Sequence, residues 1–302
     1  MKTTVAEVVH DTVADIAESP CWRPPGRLTW VDVLDGEVVV ADADAGVDVV
    51  ARHRLDMPVS AALPLGADDD GWILAAGCGF AHLAADGAVR MLAQPEIAKR
   101  AVVRMNDAKC DPAGRLWAGS MAYDESPGAG SLFRVDLDGS VTRVREGLQV
   151  SNGIGWSPDA RTFYFNDSGH GVLYSAHYDL DRGEIGELRP LITPDRGAPD
   201  GLTVDAEGML WVALWKGGAV HRYDPTGRLL ERVEVPAQLT TSCCLGGRHG
   251  RTLFITTATR GLSEAERREE PDAGRLFAAV VDVPGPPTAP FLGSLPEAPA
   301  SE

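Results

Sequence analysis

Positive charge is scarce in this chain. Against 44 Asp and Glu stand 28 Lys and Arg, a formal net charge of −16 over 302 residues. Such a surface repels phosphate backbones and anionic lipid, so neither nucleic acid nor a membrane is an expected partner. Long apolar runs are missing too: nothing approaches the ~18 residues of a membrane span. The opening MKTTVAEVVHDTVADIAESP has no apolar core of the kind a secretory leader carries. Cysteines number five, an odd count without a Cys-x-x-Cys pair. That argues against a disulfide framework or a zinc knuckle and points to buried thiols in a reducing, cytoplasmic setting. Helical periodicity is absent except over 262–270, which is short and charged. Dinucleotide-binding, P-loop and His-Glu-x-x-His patterns are absent as well.

What is present is a repeat. A turn residue followed by an apolar pair and further β-formers recurs as GRLTWVDV (26–33), GWILAAG (71–77), GRLWAGS (114–120), ARTFYFND (160–167), GMLWVAL (208–214) and RTLFITTA (251–258). The anchors Leu28, Trp72, Leu116, Phe163, Leu210 and Leu253 are 44, 44, 47, 47 and 43 residues apart. Most copies are followed by an alternating strand and an Asp-x-Asp-Gly-like turn, a hairpin signature. A unit of about 45 residues with four short strands is the size of a propeller blade. The spacing therefore predicts an all-β, six-bladed β-propeller filling residues 1–302 as one domain. The strand near Thr3–Thr12 is expected to close the ring in the last blade, beside Arg275–Val283. From about Pro284 the chain holds six prolines in its last 19 residues, which predicts an irregular surface tail.

Equivalent positions of successive blades form a ring about the axis. Ten residues before the anchors lie Glu18, Asn106 and Asp200, and eleven before Phe163 lies Asn152. The other two blades give Ala62 and Cys243 by the same count. Carboxylates gathered in a channel mouth are costly to desolvate, and a bound cation removes that cost. Oxygen-only ligands suit Ca²⁺, Mg²⁺ or Mn²⁺, with Zn²⁺ an alternative. No His falls on the ring. Arg104, two before Asn106, shares its strand face. An Arg beside a cation site implies substrate groups lying between the two. The other reading of Arg104 is a salt bridge within its blade.

Glu18-Ser-Pro, Arg104-Met-Asn106-Asp107 with Asp111-Pro-Ala-Gly-Arg-Leu-Trp-Ala-Gly119, Ser151-Asn152-Gly153 with Trp156-Ser-Pro-Asp159, Pro199-Asp200-Gly201 with Asp205-Ala-Glu-Gly208, and Thr241-Ser-Cys-Cys244 occur in order along the chain. Together they resemble the senescence marker protein/regucalcin/gluconolactonase family over about residues 14–283. The resemblance implies one divalent cation held by Glu18, Asn152 and Asp200, substrate contacts from Arg104 and Asn106, and hydrolysis of a sugar lactone. It also implies a substrate-side position at Tyr123, where regucalcin-like members carry an acid. Asp124 and Glu125 follow that Tyr in this chain.

On this reading the cation polarises the lactone carbonyl, and Asp200 acts as both ligand and general base. Glu18 is mainly a ligand. Asn106 contacts the ion through water or binds substrate oxygens, and Arg104 holds ring hydroxyls. Two rival functions share the same ring: a diisopropyl-fluorophosphatase-like phosphotriesterase, and a non-catalytic calcium-binding regulatory propeller. Calcium binding alone needs neither Arg104 nor Asn106.

Overall fold

The computed structural model describes residues 2–66 and 70–296. Six antiparallel sheets follow one another along the chain. Their first strands are Ala17–Arg23, Val59–Pro64, Val103–Cys110, Ser151–Trp156, Ala198–Val204 and Thr240–Gly246. Each sheet then steps outward through hairpins, as the repeat spacing predicts for a six-bladed propeller. Burial follows that order. Ala17–Cys21 is buried at every position, on both faces, whereas Asp48–Arg54, the fourth strand of the same blade, alternates exposed and half-buried residues. The inner strands accordingly read as continuous small and apolar runs, and the outer ones as alternating. Among the described residues no helix is long and apolar enough to cross a membrane. The stretch with helical period becomes one short helix, Glu264–Glu269, opened by a capping box between Ser263 and Glu266.

The repeated Asp-x-x-Gly-x-Leu-Trp has a local cause. Asp205 Oδ1 accepts the N–H groups of Glu207 (2.9 Å) and Met209 (3.0 Å), while Oδ2 accepts Trp211 Nε1 (3.0 Å). Asp111 does the same with Ala113 (2.8 Å), Arg115 (2.9 Å) and Trp117 Nε1 (3.3 Å). One carboxylate thus shapes the turn between the first two strands and supplies the acceptor that a buried indole needs.

Ring closure differs from expectation in one respect. Glu7–His10 does pair with Leu276–Val280, antiparallel, as the outer strand of the last blade. Lys2–Val5 instead pairs in parallel with Leu229–Glu234, the outer strand of the blade before it. The buried Ala6 makes the corner and donates to Glu234 O at 2.8 Å. Lys2 Nζ lies 3.3 Å from Glu231 Oε1 and 2.9 Å from Asp282 Oδ2. The segment thereby covers two blade edges that would otherwise expose unpaired backbone.

The proline-rich segment is irregular, as expected, but it is no loose surface tail. It straps five blades together, Pro284 O accepting Ala206 N–H (2.9 Å) from the fifth. Gly285 N–H donates to Gly250 O (2.9 Å), Thr288 N–H to Trp22 O (3.0 Å), Phe291 N–H to Pro64 O (2.8 Å) and Leu292 N–H to Gly114 O (3.0 Å). Phe291 is 1% exposed and completes the apolar core between blades 2 and 3, against Leu63, Phe80 and Phe133. Residues 297–302 lie outside the described residues. Truncating Phe291 to Ala leaves a cavity at that seam. Urea unfolding should show a loss of about 3 kcal/mol. A loss below about 0.5 kcal/mol, the range of an ordinary surface substitution, would mean the segment packs no more firmly than a linker.

Candidate functional site

Every inner strand breaks register with its neighbour once near its start. The breaks fall between Glu18 and Cys21, Val59 and Ala61, Met105 and Ala108, Asn152 and Ile154, Pro199 and Leu202, and Thr240 and Ser242. A bulge of this kind bends the strand and re-aims a side chain. The equivalent ring residue is the one four positions before the partner of each blade's anchor. That rule returns Glu18, Asn106, Asn152 and Asp200 as the sequence count does, from Trp22, Cys110, Trp156 and Val204. In blades 2 and 6 it returns Ser60 and Thr241, in place of Ala62 and Cys243. The turns after those two inner strands are two residues longer than in blades 1, 3 and 5, which displaces a fixed count from the anchor. All six ring positions are thus polar.

The side chains at this ring are buried and tied across the blade seams. Ser19 Oγ donates to Ser60 O (2.9 Å) and to Asp107 Oδ1 (3.2 Å). Asn106 Nδ2 donates to Ser151 O (2.9 Å), and Thr241 Oγ1 to Ala17 O (2.6 Å). Asn166 Nδ2 donates to Asp200 O. Gly153 sits in this crowd with φ +28°. A Cβ there would come within 2.1 Å of Asn166 Nδ2 and 2.4 Å of Asp200 O, so only glycine fits. Ser19, a non-glycine at φ 46°, holds Glu18 in a left-handed turn in which Glu18 Oε2 accepts Ser19 N–H at 2.8 Å.

Arg104 and Asn106 share a face, as their spacing implies. Arg104 Nη1 donates to Asn106 Oδ1 at 2.7 Å and to Met105 O at 2.9 Å. Among the described residues Arg104 forms no ion pair, which removes the reading of it as a blade salt bridge. The Asn106 carbonyl is occupied by Arg104, so its amide is committed on both sides. Asn152 differs. Its Nδ2 donates to Ser168 Oγ (3.1 Å), which donates on to Pro199 O (2.6 Å), while its Oδ1 is buried without a partner. Asp200 Oδ1 is likewise buried and unpartnered. Tyr123 is half exposed on the rim, its N–H bonded to Val102 O at 2.9 Å, within the electrostatic reach of Arg104. Glu125, held at φ 57°, adds negative field to both Arg104 and Asp200.

Negative charge is in excess at this depth. Burial, with the neighbouring Asp107 charge, pushes the Glu18 carboxyl up to about 8. Burial, with Glu18 and Asp107 close by, holds Asp200 well above the usual carboxylate range. Asp107 is raised by burial against the opposing pull of Lys109. Asp107, Ser60, Thr241, Asn166 and Ser168 carry weight that the sequence reading did not assign. Asp107 and Thr241 had a visible signal, their places in the quoted motifs. The rest needed the strand register.

The orphaned oxygens on Asn152 and Asp200, with Asn166 Oδ1 orphaned at the same seam, and the Glu18 carboxylate are hard oxygen donors without nitrogen or sulfur. That set fits a Ca²⁺-, Mg²⁺- or Mn²⁺-type ion. Among the described residues no three or more His, Cys, Asp or Glu stand together as a metal group. The donor set in question contains only two such residues and amide oxygens. The His221 ring bonds Tyr223 OH at 2.8 Å within a hairpin strand.

Residues 16–259 match the family described as SMP-30/Gluconolactonase/LRE-like region. A Bacillus subtilis (strain 168) protein provisionally named sugar lactone lactonase YvrE is 36% identical over 94% of this chain and 98% of its own length. Pentonolactonase XacC of Haloferax volcanii is 35% identical over 94% of this chain and 97% of its own. A crystal structure described as a calcium-binding protein, regucalcin, from Agrobacterium tumefaciens strain C58 superposes with a TM-score of 0.90 at 29% identity, covering 96% and 98% of the two chains.

The raised carboxyls carry a pH signature. Without a cation, acids whose folded pKa exceeds the unfolded value stabilise the fold fully below the unfolded pKa. That contribution is lost as pH rises through the folded value. Chelator-treated protein should therefore melt at a lower temperature at pH 8.5 than at pH 5, through the window closed by the Glu18 value of about 8. Added Ca²⁺ should raise the melting temperature more at pH 8.5, where the ligands are ionised. A Ca²⁺ effect that is equal at both pH values, or survives replacement of Asp200 by Ala, would remove this ring as the cation site.

Proposed function

The chain belongs to the SMP-30/gluconolactonase/LRE-like family and is an enzyme of the lactonase type, and from that premise we propose that it hydrolyses a sugar lactone to the aldonic acid at the buried polar ring, with one divalent cation held by Glu18, Asn152 and Asp200. The observation that carries this reading is the pair of buried, unpartnered oxygens on Asn152 and Asp200 beside Glu18, with the Arg104–Asn106 pair alongside. Buried polar atoms are left without a partner at a cost of about 1–3 kcal/mol each, which a ligand repays on binding. The calcium-binding description of the Agrobacterium relative makes Ca²⁺ the first ion to test.

When bound, the cation supplies Lewis-acid polarisation of the carbonyl and stabilises the oxyanion. The protein's own groups do the rest. Asp200 takes a proton from the attacking water as its oxygen bonds to the carbonyl carbon. The ring C–O bond then breaks, and the ring oxygen takes up that proton as the hydroxyl of the acid. Arg104 presents fixed donors to the hydroxyls, and its bond to Asn106 holds the guanidinium in one pose. Tyr123 and Glu125 form the rim past which the sugar enters. A rim with Tyr at 123 and an acid two residues later suits a hydroxyl-rich ring that stacks on one side and donates on the other.

The test is hydrolysis of a panel of hexono- and pentonolactones by chelator-treated protein, before and after adding Ca²⁺, Mg²⁺, Mn²⁺ and Zn²⁺, with a phosphotriester as the comparison substrate. Activity should vanish with the metal and return with at least one ion. Full lactone turnover in a verified metal-free sample would sink the mechanism. Faster turnover of the phosphotriester would transfer the site to the other chemistry. With saturating cation, Asp200→Asn should lower kcat on the order of 10²-fold or more. Arg104→Ala should keep the cation and lose kcat/KM unequally among sugars. Equal cation loss in the two variants would refute this division of roles.

A further inference from the structure

The channel has a second end. Toward the ends of the inner strands, four residues past the ring positions, lies a cavity of about 550 Å³ walled by Pro20, Trp156, Val204, Leu245 and the strap residues Pro286 and Pro287. None of the ring residues described above lines it. Its size falls within the range of small-molecule sites.

Lys109 also lines this cavity. Its ammonium donates to Leu202 O at 2.5 Å and, among the described residues, forms no ion pair. The carboxylate in the wall, Asp205, is no partner for it. Asp205 is saturated by two backbone N–H groups, the Trp211 indole and Arg222 Nε at 2.8 Å. An ammonium has three donors, so Lys109 retains capacity for an anion.

The strap makes the remaining wall without adding polar demand. It is pinned on either side by Gly285 N–H to Gly250 O (2.9 Å), Thr288 N–H to Trp22 O (3.0 Å) and Trp22 N–H to Thr288 Oγ1 (3.1 Å). Between the pins run Pro286 and Pro287, which have no N–H to satisfy. The result is a half-open, mainly apolar pocket in which Lys109 is the one cation, its charge also acting on Asp107 and Glu18. A sugar finds too few acceptors and donors there, and a metal ion is repelled by the ammonium. The matching chemistry is a single anionic head on an apolar body.

We propose that this cavity is a second ligand site that takes a small amphiphilic carboxylate, its head on Lys109 and its chain against Pro20, Trp156, Val204 and Leu245. The site is separate from the lactone site and does not depend on lactone hydrolysis.

Isothermal titration with sodium octanoate, and with 1-octanol as the neutral counterpart, tests it on the full chain. Octanoate should bind once per chain with Kd below about 1 mM. Lys109→Met should weaken octanoate about tenfold or more while leaving 1-octanol unchanged, and Lys109→Arg should restore octanoate. Ala206→Trp, which places an indole at the cavity wall, should abolish both while lactone turnover and melting temperature stay as in the wild type. Absence of octanoate binding to the wild-type protein overturns the proposal. So does octanoate binding that ignores Ala206→Trp, or that is displaced by the aldonic acid product. If Lys109→Met fails to fold, Ala206→Trp and Lys109→Arg still decide.

Discussion

The propeller depends on hydrogen bonds that leave one blade and end on the backbone of the next. Each inner strand carries a bulge near the axis, and a bulge strands backbone groups that its own sheet no longer pairs. Left bare at that depth they would cost more than the ring could spare. Side chains from the preceding blade meet them: Ser19 on Ser60 O, Asn166 on Asp200 O. Asn106 on Ser151 O and Thr241 on Ala17 O hold two further seams in the same forward sense. The polar ring is thus required by the fold before any chemistry is asked of it. Under the proposed function the cation would take up part of the demand left unmet, at Asn152 Oδ1 and Asp200 Oδ1; Asn166 Oδ1 is left without a partner as well.

That arrangement also sets the charge balance. Glu18, Asp107 and Asp200 lie within reach of one another, with Arg104 and Lys109 as the nearest opposing charges. Two cations against three acids leave the group short of positive charge, and burial then drives the carboxyls toward the protonated form. A divalent ion reverses the sign of the imbalance. With the proposed cation the site would have two ways to be electrically settled, one with protons and one with a metal, and only the second would leave Asp200 ionised.

Much of this was legible in the residues because repeats convert a weak local signal into a strong periodic one. The anchors Leu28 to Leu253 gave the blade number, and aligned Glu18, Asn106, Asn152 and Asp200 gave the axis. Where legibility failed, length was the cause. Ser60 and Thr241 were displaced to Ala62 and Cys243 by turns two residues longer, which a count cannot see and a strand register can. Composition misled at Phe291, since one aromatic among prolines reads as linker although it fills a seam between blades. Orphaned oxygens have no signature in sequence at all. Asn152 and Asn106 are the same residue at the same ring position, and only their neighbours leave one amide oxygen without a partner and the other bound to Arg104.

The first ten residues clip onto two different blades, with Lys2 opposite Glu231 and Glu7 opposite Ala278. These residues come earlier in the chain than the strands they pair with, which belong to the last two blades. Blades 1 to 4 can form as the chain lengthens, because their strands are neighbours in sequence. Blade 6 has three strands of its own and takes its fourth, and blade 5 adds a fifth to its own four, only when the N-terminal segment pairs across the molecule. Until then their edges stand open to any other β-strand nearby. The two-blade clip makes the arrival of the last blade, rather than any local folding step, the event that seals the ring.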